Sequence, residues 1–411
     1  MTGSGGKFVQ ANKASKVWFK PGDSALIGIM VSDFFNSIAG TMVYLTMLWW
    51  VLAQGASELG VTLLVLCIYV PLNAGVIFSG VAVARFGARR LLLVSKALAV
   101  VGAAACYTLL AADLMTLWVL ALLAVFVYGS MGPSQTADVS RAPALIRLSK
   151  RKLASFNAAN GIAVVLGSVI GLTWGGFLSE ASESATAIAI SMLLVTLSFG
   201  VTFASFPRDR VLPNYERSSV KHLMVLTRSV MDRLDNKSIG LGSILITAAL
   251  ITVSEGIGEV LLPIELRASE LSPTALSDAL VYVVVGSVIA YVVAQAIHGK
   301  VNLDVTLVLT GAVLSIILVI GTYYGGWIAL TIGAVAATSV ASATALLAFT
   351  SIQLHMPASL QAQAAGLWHS LVLTSSALVI FLTGLAKAHG FVFLACVTIC
   401  ASVFAAYHLR R

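Results

Sequence analysis

The stretch that decides the fold is GVAVARFGARR, residues 80–90, which places three arginines and two glycines in an otherwise apolar region. Of the 411 residues in the chain, 59% are hydrophobic and 10% are charged, whereas soluble domains average about 25% charged residues. Apolar runs of about 20 residues flank the stretch, and each is long enough to cross a bilayer as a helix. Residues 80–90, here called the basic elbow, therefore predict a short turn between two membrane-spanning helices.

The other apolar runs predict an all-α integral membrane protein. Backbone polar groups in lipid must be satisfied within the chain, and the ten-residue alternation of a transmembrane barrel is missing. We predict twelve transmembrane helices, at residues 24–53, 59–84, 91–112, 115–136, 153–178, 185–206, 239–264, 273–298, 304–322, 326–349, 361–386 and 389–408.

The longest polar stretch, residues 207–238, separates the sixth predicted span from the seventh. Within it, Val220 to Leu234 spaces apolar residues three and four apart, which predicts an amphipathic helix on the membrane surface. We therefore expect two pseudo-symmetric six-helix bundles, residues 1–206 and 239–411, joined by a central cytoplasmic loop. Two similar bundles of this kind rock around a central site.

The basic residues behind the net charge of +8 are concentrated in alternate segments between the predicted spans. Lysines and arginines gather in the N-terminal segment, the basic elbow, residues 141–152, the central loop and Arg410–Arg411. By the positive-inside rule, these segments are cytoplasmic. We therefore expect a multi-pass protein of the cell (inner) membrane with both termini in the cytoplasm. Because no aromatic-basic binding stretch accompanies the charge, nucleic acid is not an expected partner.

The basic elbow resembles the Gly-x-x-x-Asp-Arg-x-Gly-Arg-Arg signature between the second and third spans of the major facilitator superfamily. The residues that carry the resemblance are Gly80, Arg85, Gly87, Arg89 and Arg90, with Ala88 between the second glycine and the arginine pair. In that family the elbow is a cytoplasmic gating motif whose aspartate helps latch the two halves together. Ala84 stands in the place of the aspartate, so the resemblance implies the fold and the elbow but not the charged latch.

Three further stretches resemble the drug-exporter branch that includes macrolide and enterobactin exporters and lysophospholipid transporters. They are ALIRLSKRKLASFNAANG (144–161), GLTWGGFL (171–178) and AAGLWHSLVLTSSAL (365–379). The second is similar to the antiporter signature Gly-Pro-x-x-Gly-Gly: Gly171, Gly175 and Gly176 match, and Leu172 replaces the proline. Independently of any family, Gly167, Gly171 and Gly175 at intervals of four predict a small-residue face for close helix packing.

Charged residues inside spans are costly, so each is a candidate functional residue. Asp33 lies in the first span with Asn36 one turn on, while Glu255 and Glu259 lie four apart in the seventh and share a helix face. The resemblance places both spans around a central cavity and implies that Asp33 and Glu255 face a common path. A carboxyl partly removed from water can exchange a proton near neutral pH. The alternatives are a helix-start role for Asp33 and a solvated outer position for Glu259.

His369 and Lys96 also lie within predicted spans. His369, beside Trp368 in the eleventh span, is interpreted either as a group that titrates or stacks on a ligand, or as a satisfied polar residue in a packed helix. Lys96, early in the third span, is expected to extend its ammonium group to the membrane interface.

Motifs for metal-dependent, serine-centred or phosphate-binding chemistry are not found in the sequence, so neither an enzyme nor a cofactor is predicted. The resemblance implies a secondary transporter, expected to be monomeric, that exports a small amphipathic compound by proton antiport and runs on the proton gradient. The alternatives are a siderophore exporter, a lysophospholipid flippase-type transporter and, more remotely, a membrane-embedded enzyme or receptor.

Overall fold

A computed structural model gives the fold. It describes residues 21–55, 57–147, 153–181, 183–206, 248, 251, 256–297, 313, 326–356 and 361–386. The predicted amphipathic helix in the central loop, the twelfth predicted span and Glu255 lie outside the described residues, as does the ninth span apart from Val313.

Helices make up almost all of the described chain, in which no strand occurs. In the first half they are α1 (Pro21–Ala53), α2 (Glu58–Phe86), α3 (Ala88–Ala111), α4 (Leu117–Arg147), α5 (Leu153–Glu180) and α6 (Ser184–Ser205). In the second half, a π-helix (Gly256–Leu261) leads into α7 (Leu262–Ala268), followed by α8 (Pro273–Ile297), α9 (Gly326–His355) and α10 (Gln361–Ala386). Within the described ranges, nine helices are long and apolar enough to cross a membrane. The all-α membrane architecture is therefore confirmed.

The largest difference from the predicted boundaries is in α4. A span was predicted at 115–136 and a basic loop at 141–152, but α4 continues through Arg147. Ala137, Ala142 and Leu145 on this extension are buried in a cluster with residues of α1 and α5. Tertiary burial therefore stabilises a helical segment that hydropathy alone assigns to a loop.

The basic elbow is a one-residue turn. Helix α2 ends at Phe86, α3 begins at Ala88, and Gly87 between them has a φ of +83°. The Gly87 N–H donates to the Val83 carbonyl at 2.9 Å, and the Gly87 carbonyl accepts from the Leu91 N–H at 3.2 Å. Only glycine adopts this backbone conformation readily, so Gly87 is what allows two long helices to meet with no connecting loop.

Two helix pairs make most of the described contacts between the two halves of the chain. In the first half, α1 packs against α5 and α6, α2 against α4, and α3 against α4 and α6. Across the halves, α8 packs against α5 and α10 packs against α2. Large side chains such as Phe78 and Trp118 are exposed on the outside, as expected of a surface that meets lipid.

The glycines of α5 pack against two different neighbours. A Cβ atom on Gly167 would lie 2.6 Å from the Phe34 carbonyl oxygen, and Gly171 and Gly175 also face α1. A Cβ atom on Gly176, by contrast, would lie 2.8 Å from Ser277 Oγ on α8. The predicted small-residue face thus lies against α1, whereas the next glycine lies between the halves of the chain.

Candidate functional site

A cavity of about 370 Å³, here called the acidic cavity, lies where α1, α5, α8, α9 and the π-helix meet. Its apolar wall includes Leu172, Leu280 and Val283, and Tyr291 also lines it. Four serine and threonine side chains line it as well: Thr41, Ser168, Thr338 and Ser342. Among the lining residues that the structure describes, Glu259 is the only charged one.

Glu259 is held away from water. Its Oε2 atom is buried and has no hydrogen-bond partner among the described residues. The buried side chains of Tyr44 and Tyr69 lie near the same carboxyl group, and the Tyr44 hydroxyl has no hydrogen-bond partner among the described residues. Tyr128 lies nearby and donates its hydroxyl hydrogen to the Gly40 carbonyl at 3.1 Å. Among the residues that the structure describes, the neighbours of this carboxyl are thus neutral phenols and include no cation.

The local sequence explains why the helix is irregular at this carboxyl. Pro263 has no N–H, and in a regular α-helix its ring would clash with the carbonyl four residues earlier, that of Glu259. The chain adopts a π-helix from Gly256 to Leu261 immediately before this proline. Single π turns within α-helices are frequent at functional sites. Glu259 lies at this widened turn and lines the cavity with a half-buried side chain, and its role as a cavity residue or a solvated outer residue stays a prediction.

A second cavity of about 240 Å³, here called the aromatic cavity, is lined by residues of both halves. Its ring-bearing residues are Phe156, Tyr291, Phe349, Trp368 and His369, and the amides of Asn157 and Asn160 line it as well. His369 Nδ1 is 2.9 Å from the Ala365 carbonyl oxygen, and its ring meets Phe349 edge-on at 5.5 Å between centroids. Tyr291 lines both cavities.

Asp33 and Asn36 are half-buried on α1 and are not among the described lining residues of either cavity. The Asp33 Oδ2 atom accepts a hydrogen bond from Asn160 Nδ2 at 3.1 Å. Asp33 therefore contacts the aromatic cavity through Asn160. The structure brings Asp33, Asn160 and His369 to one region and Glu259 to another.

Polar contacts join the two halves both beside the cavities and between α2 and α10. Asn157 donates to Gln353 Oε1 at 2.7 Å and to Thr350 Oγ1 at 3.1 Å. Asn73 donates to Thr374 Oγ1 at 2.6 Å, and Ser277 donates to the Leu172 carbonyl at 2.8 Å. Neutral hydrogen bonds of this kind contribute only about 1 kcal/mol each, so the halves are joined by bonds that are individually easy to break.

At the basic elbow, Arg89 bonds within the first half of the chain. Its Nη2 donates to the Phe203 carbonyl in the last turn of α6 at 2.9 Å, and its guanidinium lies 5.4 Å from the centroid of the Phe203 ring. Arg90 is exposed, and the side chains of Ala84 and Arg85 lie outside the described part of the chain. The described contacts of Arg89 join α3 to α6, and the gating role of the elbow stays a prediction.

Lys96 contradicts the sequence-based expectation. The side chain is 3% exposed and does not reach the interface. Its ammonium group donates to Ser32 Oγ and, at 2.9 Å, to Ser198 Oγ. The spacing of Leu92, Lys96, Ala99 and Ala103, all buried on one face of α3, is the sequence signal that places Lys96 inward, because residues three and four apart share a helix face.

Comparisons with known proteins agree with this architecture. A family model described as Major Facilitator Superfamily matches residues 26–381. A solved structure of a variant of the E. coli fucose:proton symporter FucP has a TM-score of 0.67 and 12% identity to this chain, covering 93% of it and 98% of that protein. A second FucP structure, in the outward conformation, has a TM-score of 0.68, 13% identity and the same coverage. No curated protein sequence matches the chain.

Proposed function

The chain belongs to the major facilitator superfamily, and we propose that it is a secondary transporter that exports a small amphipathic cation in exchange for protons. One observation carries the proposal: Glu259, the only charged residue among the described lining of the acidic cavity, has a buried oxygen without a described hydrogen-bond partner. The cavity lies between helices of both halves of the chain, where alternating access would expose it to each side in turn.

The exchange follows from the cost of an isolated buried charge. An ionised carboxylate in an apolar site must be paired, or it becomes neutral by binding a proton. No lysine or arginine is among the described lining residues of the acidic cavity, so the charge would be compensated by a proton or by a cationic ligand. One carboxyl cannot hold both at once, and loading the cation would therefore release the proton.

The cavity wall indicates the chemical class of the ligand. Its volume of about 370 Å³ falls within the roughly 300–1,000 Å³ of small-molecule sites. Apolar walls suit a hydrophobic body, while the hydroxyl groups of Thr41, Ser168, Thr338 and Ser342 offer hydrogen bonds. A small amphipathic compound with one positive charge fits this combination, and no cofactor is needed because the proton gradient supplies the free energy.

The remaining features are proposed with the function. Residues 1–206 and 239–411 act as two six-helix bundles around the central cytoplasmic loop, 207–238. The protein works as a monomer in the cell inner membrane with both termini in the cytoplasm. The export direction rests on the resemblance of residues 144–161, 171–178 and 365–379 to drug exporters.

A second candidate is cation–proton symport. The observation in its favour is that the two FucP structures with the same fold include one named as a fucose:proton symporter. At 12% identity, that likeness bears on the fold and not on the coupling. The same acidic cavity would serve symport if Glu259 and the ligand were loaded together.

Flux into proteoliposomes separates these candidates. The purified protein is reconstituted and the uptake of ethidium is measured with the membrane potential clamped by valinomycin and equal potassium. Antiport predicts that ethidium accumulates when the lumen is acidic, and symport predicts accumulation when the lumen is alkaline. Equal uptake under both gradients, or the same flux in protein-free liposomes, would contradict proton-coupled transport of the cation.

A further inference from the structure

The aromatic cavity has a chemistry different from that of the acidic cavity. Rings form much of its wall, and no charged residue is among its described lining. Its volume of about 240 Å³ is just below the range of sites for whole drug-sized molecules. It suits a ring system rather than an extended chain, because flat aromatic groups stack well between other rings.

Two hydrogen-bond acceptors remain at this wall. The Asn160 amide donates its Nδ2 hydrogen to Asp33, and its Oδ1 is buried without a partner among the described residues. The His369 Nδ1 lies 2.9 Å from a carbonyl oxygen. Since a carbonyl only accepts, Nδ1 carries the hydrogen, and Nε2 of the neutral ring is left as an acceptor.

We propose that the aromatic cavity is a second ligand site, which binds a planar aromatic ring bearing N–H donors by stacking and by donation to Asn160 Oδ1 and His369 Nε2. Asn160 and His369 determine specificity at this site, because a ring without N–H donors would leave the buried Asn160 Oδ1 and the His369 Nε2 unpaired. Unpaired buried polar groups are what allow a site to reject a close analogue.

Tyr291 connects this site to the acidic cavity. Its ring lines both cavities, and a Cβ atom on Gly161 of α5 would lie 3.0 Å from that ring. A ligand passing from one cavity to the other would therefore displace Tyr291 from Gly161. This second site deepens the proposed function and rests on it only for the statement that the bound ligand is transported. Binding of the ligand is measured separately.

The test uses the full-length protein in detergent and two dyes. Proflavine is a planar tricycle with two amino groups, and acridine orange is the same tricycle with every amino hydrogen replaced by methyl. Titrations are run in the Glu259→Gln background, which removes the charge of the acidic cavity. The readouts are dye fluorescence and the quenching of tryptophan emission, with Trp368→Phe identifying the part of the quenching that comes from this site.

Two variants and one control complete the design. His369→Phe keeps a ring against Phe349 and removes Nε2, and Asn160→Ala removes Oδ1. We expect each to weaken proflavine binding about tenfold, the effect of losing one hydrogen bond to a buried group. Ser375→Ala is the matched control, because Ser375 lies on the same helix, outside the described lining, and donates to its own Leu371 carbonyl at 2.8 Å.

Two results would overturn the proposal: no saturable proflavine binding, or unchanged binding in both His369→Phe and Asn160→Ala. If a variant does not fold, the two dyes are compared in the protein with no substitution in the aromatic cavity. Acridine orange should then bind at least about tenfold more weakly than proflavine, and equal affinities would overturn the proposal. If the proposed transport function fails, ethidium flux will not depend on the pH gradient. That result would leave the outcome of these dye titrations unchanged, so the two failures can be distinguished.

Discussion

Lys96 is buried and Glu259 is half-buried with one buried oxygen, and these two groups of opposite charge have opposite surroundings. Lys96 lies inside the first half of the chain, where serine hydroxyls of α1 and α6 accept its hydrogen bonds. Glu259 lies at a cavity between the halves, with one oxygen unpaired among the described residues and tyrosine hydroxyls as neighbours. The hydrogen bonds of the lysine are thus made by the protein, while one oxygen of the carboxyl has no described partner.

The comparison teaches that burial of a charge does not by itself mark function. A buried charge whose hydrogen bonds are all made within one rigid group of helices affects packing and stability. A charge at the boundary between two helix bundles, next to a cavity and without a neighbouring cation, can change its protonation state during a transport cycle. Substitutions in the two regions should therefore alter different quantities.

The largest effect is expected for Glu259→Gln. The amide keeps the size of the side chain and removes both the proton exchange and the negative charge, so ethidium uptake driven by a pH gradient should fall to the level of protein-free liposomes. Exchange of labelled for unlabelled ethidium without a gradient should persist, because it needs rocking of the halves but no net proton movement. Gradient-driven uptake by the variant at the original rate would place the coupling elsewhere.

The second-largest effect is expected for Ser32→Val, which changes the surroundings of Lys96. It removes the hydroxyl group that bonds Lys96, Ser198 and Thr202, leaving a buried ammonium with fewer partners. We expect the free energy of unfolding to fall by roughly 2–3 kcal/mol, measured by thermal unfolding in detergent.

The control for Ser32→Val is Lys96→Met, which fills similar space without the charge. Ser32, Ser198 and Thr202 bond to one another at 2.8–2.9 Å, so their hydroxyls stay satisfied and stability should change by less than about 1 kcal/mol. Loss of ethidium transport in a well-folded Lys96→Met protein would contradict this contrast, because it would show that Lys96 takes part in the transport cycle.

A smaller change in stability is expected for Gly171→Ala. The added methyl group would overlap the Ile38 carbonyl and Thr41 on α1, and backbone cannot rotate away as a side chain can. Overpacking of this kind should cost roughly 2 kcal/mol of unfolding free energy. Gly200→Ala in α6, which meets nothing within 4 Å, should instead raise stability by about 0.5–1 kcal/mol, and a loss as large as that of Gly171→Ala would contradict the packing argument.

The smallest effect is expected at the basic elbow. Arg89→Ala removes a 2.9 Å hydrogen bond to the Phe203 carbonyl and the contact with the Phe203 ring, so we expect a loss of about 1 kcal/mol. Arg90→Ala removes an exposed side chain of the same type and should leave the unfolding temperature unchanged. A loss of transport in Arg89→Ala without any loss of stability would assign the elbow to gating rather than to packing.

The fold was predictable because its signals are long and redundant. Apolar runs and the Gly87 turn depend on residues that are close in sequence, and α10 begins and ends where the eleventh span was predicted. The α4 extension was not predictable from hydropathy, since it depends on burial of Ala137, Ala142 and Leu145 against distant residues. The close packing of α2 on α4 at Gly75 and Gly132 was missed for the same reason.

The candidate site was predictable only in part. Charge inside a span singled out Glu259 and Asp33, and the position beside Trp368 singled out His369. That Glu259 faces the cavity depends on the π-helix before Pro263, and the role of Asn160 depends on a hydrogen bond between α1 and α5. Contacts between helices distant in sequence decide which buried polar groups are satisfied, and no local pattern records them.

The most direct test of the central claim is the number of protons released when the cation binds. Ethidium is added to the purified protein in weakly buffered detergent solution, and a pH-sensitive dye follows proton release at pH values from about 5 to 8. The account predicts close to one proton per bound ethidium at the pH of greatest release, and none in Glu259→Gln. Equal release by both proteins, or binding by the unsubstituted protein with no release at any pH, would contradict the claim that Glu259 exchanges a proton for the ligand.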